Sequence, residues 1–443
     1  MIDFGVIDKI IAIIFSLGIL LNGYVVGKIV KTFLFPASLF CFFWFAYTFF
    51  PLVFLFNVPI NPISIIFIFF CTLLFCLASL FFDWKKAFNR NKLKLQLPAN
   101  YFCNKHIIRV FNLLFIVTLL FLLIDIRIQG FEIVSFLFNF YESSNSFIAK
   151  RYSHEIVSNV YAQMANVFNY VLVMLGSVIV GSAIFSNARK YKLALMTLIP
   201  SIIITLTQGA KGTILLSVVL FYGGILIIRI FRNKLELTNK KTNRVFVIIF
   251  VSLFGVLLLS FMSRGIYEES NSDAIDKLLF YFNSYSFGHI YAFSDWFDFQ
   301  LFNTKSVITY ANSPGLNYGF YTFMYFFRLL GDTTIVPDGI FDDYFYYKGV
   351  FVTNIFTVFR GTILDFGVLG SCLFWFVSGF FSSVIYYVLL SLKRPIITIP
   401  LFIMMIGYFY TTFIISLFIW RSIFAAILVF ALILFYNKLK IKN

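Results

Sequence analysis

Charge is scarce in this chain of 443 residues. Asp, Glu, Lys and Arg together make up 12% of it, where an ordinary soluble domain carries roughly a quarter. A soluble globular enzyme and a disordered chain are both excluded on that ground. Cysteine is sparse as well: Cys41, Cys71, Cys76, Cys103 and Cys372 fall in apolar runs or a basic loop, without ligand-like spacing. They read as structural thiols, so neither a zinc site nor a disulfide framework is expected. The three histidines, His106, His154 and His289, are scattered. No Walker A sequence, H-E-x-x-H, C-x-x-C, G-x-S-x-G or Asp-x-Asp motif is present, which removes the usual nucleotide, zinc and serine-nucleophile chemistries. Asp3 and Asp8 stand where a cleaved signal peptide would carry positive charge.

What fills the chain instead is hydrocarbon. Hydrophobic residues make up 61% of it, with 64 Phe and a mean hydropathy of +0.92. Apolar runs repeatedly approach the ~20 residues that cross a bilayer as a helix. The expected fold is therefore an all-α polytopic membrane protein, one membrane domain over 1–443, with eleven spans. These are 10–26, 34–56, 62–82, 107–126, 163–185, 193–207, 213–230, 245–262, 364–390, 396–418 and 422–437. Gly23 and Gly27, four apart in the first span, suit a small-residue helix-packing seam.

The net charge of +16 reads as topology rather than as a nucleic-acid footprint. Basic residues crowd into 83–106, 189–192, 229–244, 393–394 and 438–442, which fall on one side if the N-terminus is outside and the C-terminus inside. That inner side then holds 23 of the 35 basic residues and, of the acids, only Asp83 and Glu236. Two outer segments are too long for simple turns: 127–162 and, larger, 264–363. The second is rich in Tyr, Phe and Trp, and is expected to form a subdomain of short helices lying on the membrane surface.

Several cations stand on the outer side close to hydrocarbon: Lys211 in a Gly-flanked turn, Arg264, Arg328 and Arg360, with Arg127, Lys150 and Arg151 in the smaller loop. Such residues need a partner or a task, and guanidinium matches phosphate oxygens in a bidentate way. Snorkelling or pairing with outer carboxylates is the alternative. Asn354, Thr357, Gly361 and Asp365 are spaced three and four apart. On a helix they would share one face, giving either a hydrogen-bonded packing face with an Asp365–Arg pair or the lining of a cavity.

The pattern Asn354-x-Phe-Thr357 followed by Asp365-Phe-Gly-x-x-Gly370, after a long outer loop, resembles the bacterial O-antigen polymerases, and so does the basic turn Gln208-Gly-Ala-Lys211-Gly212. The paired Arg-x10-Gly arrangement described for some of these enzymes is not matched, because the count from Arg264 ends on Ile275. The resemblance implies a multi-pass inner-membrane glycosyltransferase working on the periplasmic side without metal or other cofactor. It would transfer a growing glycan from undecaprenyl pyrophosphate to a repeat unit on the same carrier, with a chain-length regulator as possible partner. Such a transfer needs cations for the pyrophosphate, here Lys211, Arg264, Arg328 and Arg360. It also needs a base for the attacking hydroxyl, for which Asp365, His289 and Asp295 stand beside Asp298, Asp342 and Asp343. Asn354 and Thr357 would line the cavity, and Tyr285, Tyr291, Trp296, Tyr318 and Tyr321 could stack on sugars. An O-antigen ligase and a lipid-linked oligosaccharide flippase are the rival readings.

Overall fold

The computed structural model describes residues 5–93, 101–138, 140–153, 155–182, 187–208, 211–236, 255, 271–302, 308, 310, 315–334, 340–392 and 395–442. Among these, nine helical stretches are long and apolar enough to cross a membrane. The protein is an all-α polytopic membrane protein. Seven of the nine precede residue 235: α1 (Val6–Val30), α2 (Pro36–Phe54), α3 (Pro62–Leu77), α5 (Lys105–Ile128), α8 (Val160–Ser182), α9 (Asn187–Gln208) and α10 (Lys211–Phe231). Pro36 and Pro62 sit at the starts of α2 and α3, where a missing N–H costs nothing. Short helices α4 (Trp84–Leu93), α6 (Ile133–Phe138) and α7 (Phe140–Tyr152) lie between them.

The span expected at 245–262 lies outside the described residues, apart from Gly255. The one expected at 396–418 is shorter in the structure: α15 (Thr398–Thr411) ends in a turn and a 3-10 segment at Leu417–Ile419. Conversely, the brief run at 193–207 belongs to a 22-residue helix that starts at Asn187. Its first turns carry Arg189, Lys190 and Lys192, which lower hydropathy without breaking the helix.

The chain divides into two compact units. One comprises 1–84, 270–387 and 408–420. In it α1 packs on α2 and α3, with Gly23 and Gly27 buried in the contact face. A Cβ at Gly23 would press on Cys41 and the Ser38 carbonyl, so the small-residue seam is present. The core is a connected set of rings: Phe40 stacks on Phe75 at 4.3 Å and on Trp375 at 5.2 Å. Trp44 meets Phe359 at 4.6 Å, and Phe67 meets Phe297 at 5.2 Å. Such pairs add about 0.5–1.5 kcal/mol each beyond their buried area, which gives part of the phenylalanine content a packing role. The thiols of Cys41 and Cys76 touch at 3.4 Å inside this core, and all five cysteines are free.

The long segment contributes α11 (Asn271–Ser286), α12 (Gly288–Phe302) and α13 (Phe320–Leu329) to this unit. It also contributes an antiparallel hairpin, β1 (Phe345–Tyr347) with β2 (Phe351–Thr353), in the register Phe345–Thr353. An expectation of short helices alone therefore missed a hairpin. Its three-residue loop, 348–350, has positive φ at Lys348 (36°) and Gly349 (72°), and the Val350 N–H donates to the Tyr347 carbonyl at 2.7 Å. The membrane helix α14 (Thr357–Ser391) follows, and α16 (Arg421–Lys442) closes the chain.

The second unit comprises 85–269, 388–407 and 421–443. Here α8 is the central helix, packed by α5, α9, α10 and α16. Ser201 on α9 donates to Asn169 Oδ1 on α8 at 2.8 Å and accepts from the Ser217 hydroxyl on α10 at 2.7 Å, so hydroxyls and an amide join three apolar helices. The loop after α5 is clasped by side chains. Gln129 exchanges two hydrogen bonds with the Val157 backbone, at 2.8 and 3.0 Å, and Asp125 accepts from Gln129 and Asn159. Lys150 donates to the Gln129 carbonyl at 3.0 Å. Lys150 is thus committed to the fold of its own loop, and Arg127 faces Glu132 at 3.7 Å on the surface.

Candidate functional site

The segment 354–370 does not form one helical face. Asn354 precedes α14, because 351–353 are taken by the hairpin. Thr357 opens the helix with φ 66°, and its Oγ1 accepts from the Phe359 N–H at 3.3 Å. The hydroxyl therefore serves as a cap on the first turn. Ten residues further on the helix breaks at Gly367, at φ 73° and ψ 176°, a backbone region essentially reserved for glycine. In the turn before the break, the Leu364 and Asp365 carbonyls accept the backbone N–H groups of Asn317 and Tyr318, both at 3.0 Å. Thr362 and Ser371 share a hydrogen bond across the break at 2.7 Å.

Asp365 is fully buried, and its carboxylate is engaged throughout. One oxygen accepts the Tyr321 N–H at 3.0 Å; the other accepts the Thr322 N–H at 2.7 Å and the Thr322 hydroxyl at 2.6 Å. These are first-turn groups of α13, whose Gly319 N-cap has φ 99° and no capping side chain of its own. A carboxylate from another element thus caps α13 and complements its dipole. The Asp-Phe-Gly stretch is the anchor of α13, and Asp365 is not paired with Arg360.

Arg360, one turn back on α14, has a different environment. Its side chain is 5% exposed, and Nη2 donates to Asp343 in a short ion pair. Four rings surround the guanidinium, at 4.0 Å for Phe341, 4.2 Å for Phe356, 5.2 Å for Trp296 and 5.4 Å for Tyr310. Rings stabilise a cation through their negative faces, but they do not accept strong N–H bonds. Nε and Nη1 are buried without a hydrogen-bond partner among the described residues. Of the five donors on a guanidinium, those on these two nitrogens are unused.

Around this box stand further polar groups. The Tyr310 hydroxyl donates to Asp295 Oδ2 at 2.8 Å; burial, reinforced by the Asp295 carboxylate, pushes the phenol far above its ordinary range. Tyr321 stacks on Phe341 at 5.5 Å, and burial raises its phenol while the Arg360 charge pulls it back. One helical turn from Asp295, Asp298 accepts the Asn61 amide at 2.6 Å. Burial pushes its carboxyl up to about 7, opposed by the Asn61 bond and supported by the Asp295 charge. His289, seven residues and about two turns before Trp296 on α12, is 1% exposed and bonds the Tyr47 carbonyl through Nε2 at 3.0 Å. Burial lowers its ring to about 3, so it stands neutral at pH 7.

The structure therefore brings together Arg360, Asp343, Asp295, Asp298, Trp296 and Tyr321 from the expected set. Arg328 is elsewhere, exposed at the end of α13, where Nη1 reaches the Asp332 carbonyl at 3.5 Å. Asp342, Tyr285 and Tyr318 are exposed, and Asn354 is half-buried. Tyr291 is core: its hydroxyl lies between the carbonyls of Pro51 and Leu55 and accepts from the buried Lys9 amine at 2.8 Å. Lys211 begins α10 in the second unit and Arg151 belongs to α7, both with side chains outside the described set, and Arg264 and His154 lie outside the described residues. Sequence reasoning missed Tyr310, Phe341 and Phe356, and the signal for them is weak, since aromatics occur throughout the segment. Among the described residues no group of three or more His, Cys, Asp or Glu is placed to hold a metal ion. No family model, curated protein or solved structure matches this chain.

Proposed function

We propose that this protein is a lipid-carrier-dependent glycosyltransferase of the O-antigen polymerase kind, with its reaction centre at the Arg360 box on the periplasmic side of a bacterial inner membrane. The observation that carries the reading is a buried, rigidly held guanidinium with unused donors. A cation kept in low dielectric, with its position fixed by Asp343 and four rings, is suited to charge that develops elsewhere, because it need not reorganise during reaction. A pyrophosphate leaving group develops such charge.

In this reading the acceptor hydroxyl attacks the anomeric carbon of the donor glycan, and the bond from that carbon to the pyrophosphate oxygen breaks. Undecaprenyl pyrophosphate departs with the bonding electrons, and Arg360 stabilises it. The hydroxyl proton passes to a carboxylate, and of the candidate bases Asp295 fits best. It is partly exposed beside the box, whereas the Asp365 oxygens are occupied by α13 and His289 is enclosed. Tyr321, partly exposed beside the box, offers a ring that suits a sugar, while buried Trp296 holds the guanidinium.

The test is a strain lacking the gene, with its surface polysaccharide resolved as a ladder. A core bearing a single repeat unit, restored to a ladder by the wild-type gene but not by Arg360→Ala, supports polymerisation. Bare core with polymer accumulating on the carrier outside would assign the ligase reaction instead, and bare core with single units retained inside the flippase.

A further inference from the structure

Helix α11 (Asn271–Ser286) meets the hairpin through polar side chains, with Leu278, Phe280 and Tyr281 half-buried. Ser284 is buried and accepts the Val352 N–H at 3.1 Å, while the Asn283 amide donates to the Val350 carbonyl at 3.5 Å. The hairpin thus docks on hydroxyl and amide groups. The outward side is apolar: Ile275, Leu279 and Phe282 are 59%, 52% and 39% exposed, at spacings of four and three that place them on one face. Tyr285 extends this stripe toward the C-terminal end, and Asp276 and Lys277 lie off it.

The stripe does not stop at the end of the helix. Phe282 packs edge-on against Phe287 at 5.2 Å, and Phe287 stacks almost parallel on Phe54 at 5.5 Å. Phe54 is the last residue of α2, a membrane-crossing helix whose Phe50 and Val53 are also exposed. The apolar surface of α11 therefore continues the lipid-facing surface of a span. With 16 residues α11 reaches about 24 Å, less than the ~30 Å hydrocarbon layer, so it does not itself cross.

We propose that α11 is an interfacial helix that lies along the bilayer surface, with Ile275, Leu279 and Phe282 seated among the acyl chains and the hairpin held above it. The partner is the bilayer itself. A helix with a wide apolar face and low overall hydrophobicity takes this position, and here the hairpin covers part of the polar side while Asp276 and Lys277 stay exposed. The inference rests on the membrane fold and not on the reaction proposed above. It also places lipid one residue ahead of α12, the helix that carries Asp295 and Trp296.

The test uses the full chain with Cys103→Ser and Cys372→Ser, in nanodiscs of phosphatidylethanolamine and phosphatidylglycerol. A nitroxide is attached through single cysteines at 275, 279 and 282 and, off the stripe, at 276 and 277. Collision with oxygen and with a water-soluble nickel chelate reports depth. Oxygen is expected to dominate at 275, 279 and 282 and the chelate at 276 and 277, a reversal of sign within one helical turn. Chelate-dominated collisions at all five positions would overturn the proposal, because the stripe would then face water. Low collision with both reagents at 275, 279 and 282 would overturn it equally, because protein would then cover the stripe.

Discussion

Two buried charges stand five residues apart on α14 and are treated in opposite ways. Asp365 has its carboxylate oxygens filled by three donors from the first turn of α13. Arg360 has one carboxylate, four rings and two nitrogens without an acceptor among the described residues. A buried charge is costly unless it is paired and hydrogen-bonded. The satisfied member therefore reads as architecture. The incompletely satisfied one keeps a capacity that the fold does not use, and a ligand can. The difference separates residues that make the site from residues that act in it, although both are charges near one end of a membrane helix.

The comparison breaks most visibly at Arg360. Under the function proposed above, replacing it by Ala is expected to lower polymer formation by about 100- to 1000-fold, the scale of losing one preorganised donor in a low-dielectric site. A companion Arg360→Ala, Asp343→Asn variant avoids leaving an unpaired buried carboxylate. A retained thermal transition in detergent together with lost polymer would place the effect in chemistry, and normal polymer from that double variant would remove Arg360 from the mechanism. Asp365→Ala is expected to act through folding, at about 3–5 kcal/mol, because three bonds to a buried charge are lost. Asp365→Asn keeps an acceptor and should recover part of that stability and, with it, activity. An Asp365→Asn protein as stable as the wild type yet inactive would contradict the anchoring role.

Gly367→Ala forces a side chain into a backbone region it avoids and should cost about 1–3 kcal/mol, read as a lower thermal midpoint. Asp298 provides a pH-dependent case. Its folded-state carboxyl is raised to about 7 from 3.8, so the folded protein holds a proton that the unfolded chain releases. This contribution to stability is highest below pH 4 and is lost as pH rises through 7. Asp298→Asn should therefore gain about 1–2 kcal/mol over the wild type above pH 7 and little below pH 4, seen in melting curves across that range. The smallest effect belongs to exposed Arg328. Its Ala variant should stay within about 0.5 kcal/mol in stability, and a large loss of polymer without unfolding would bring a second cation into the mechanism.

Membrane spans are legible in this sequence because a bilayer imposes one requirement, length of hydrocarbon, that composition satisfies residue by residue. The misjudged ends have local causes. Cationic first turns hid the start of α9, and an apolar turn near Phe413 disguised the end of α15. The hairpin carried a readable signal, Lys348-Gly349-Val350 between Phe-Tyr-Tyr and Phe-Val-Thr, which the aromatic background masked. Arg360 and Asp343 were visible as charges, but their pairing was not, because it depends on how the hairpin and α14 return to the same place. The box itself is assembled from Trp296, Tyr310, Phe341 and Phe356. No periodicity links four rings so far apart in a chain with 64 Phe.

The junction between 317–322 and 364–365 is made largely through the main chain: two carbonyls accept two backbone N–H groups, and the carboxylate takes two more. On the 317–322 half, side-chain identity enters this joint through the Asn317 amide and the Thr322 hydroxyl. The segment before α13 can change its surface chemistry, and with it the shape of whatever approaches the box, while the helix behind it stays anchored. Under the function proposed above, exposed Leu316 and Tyr318 are the positions where substitution would change which molecule is accepted while the scaffold stays unaltered.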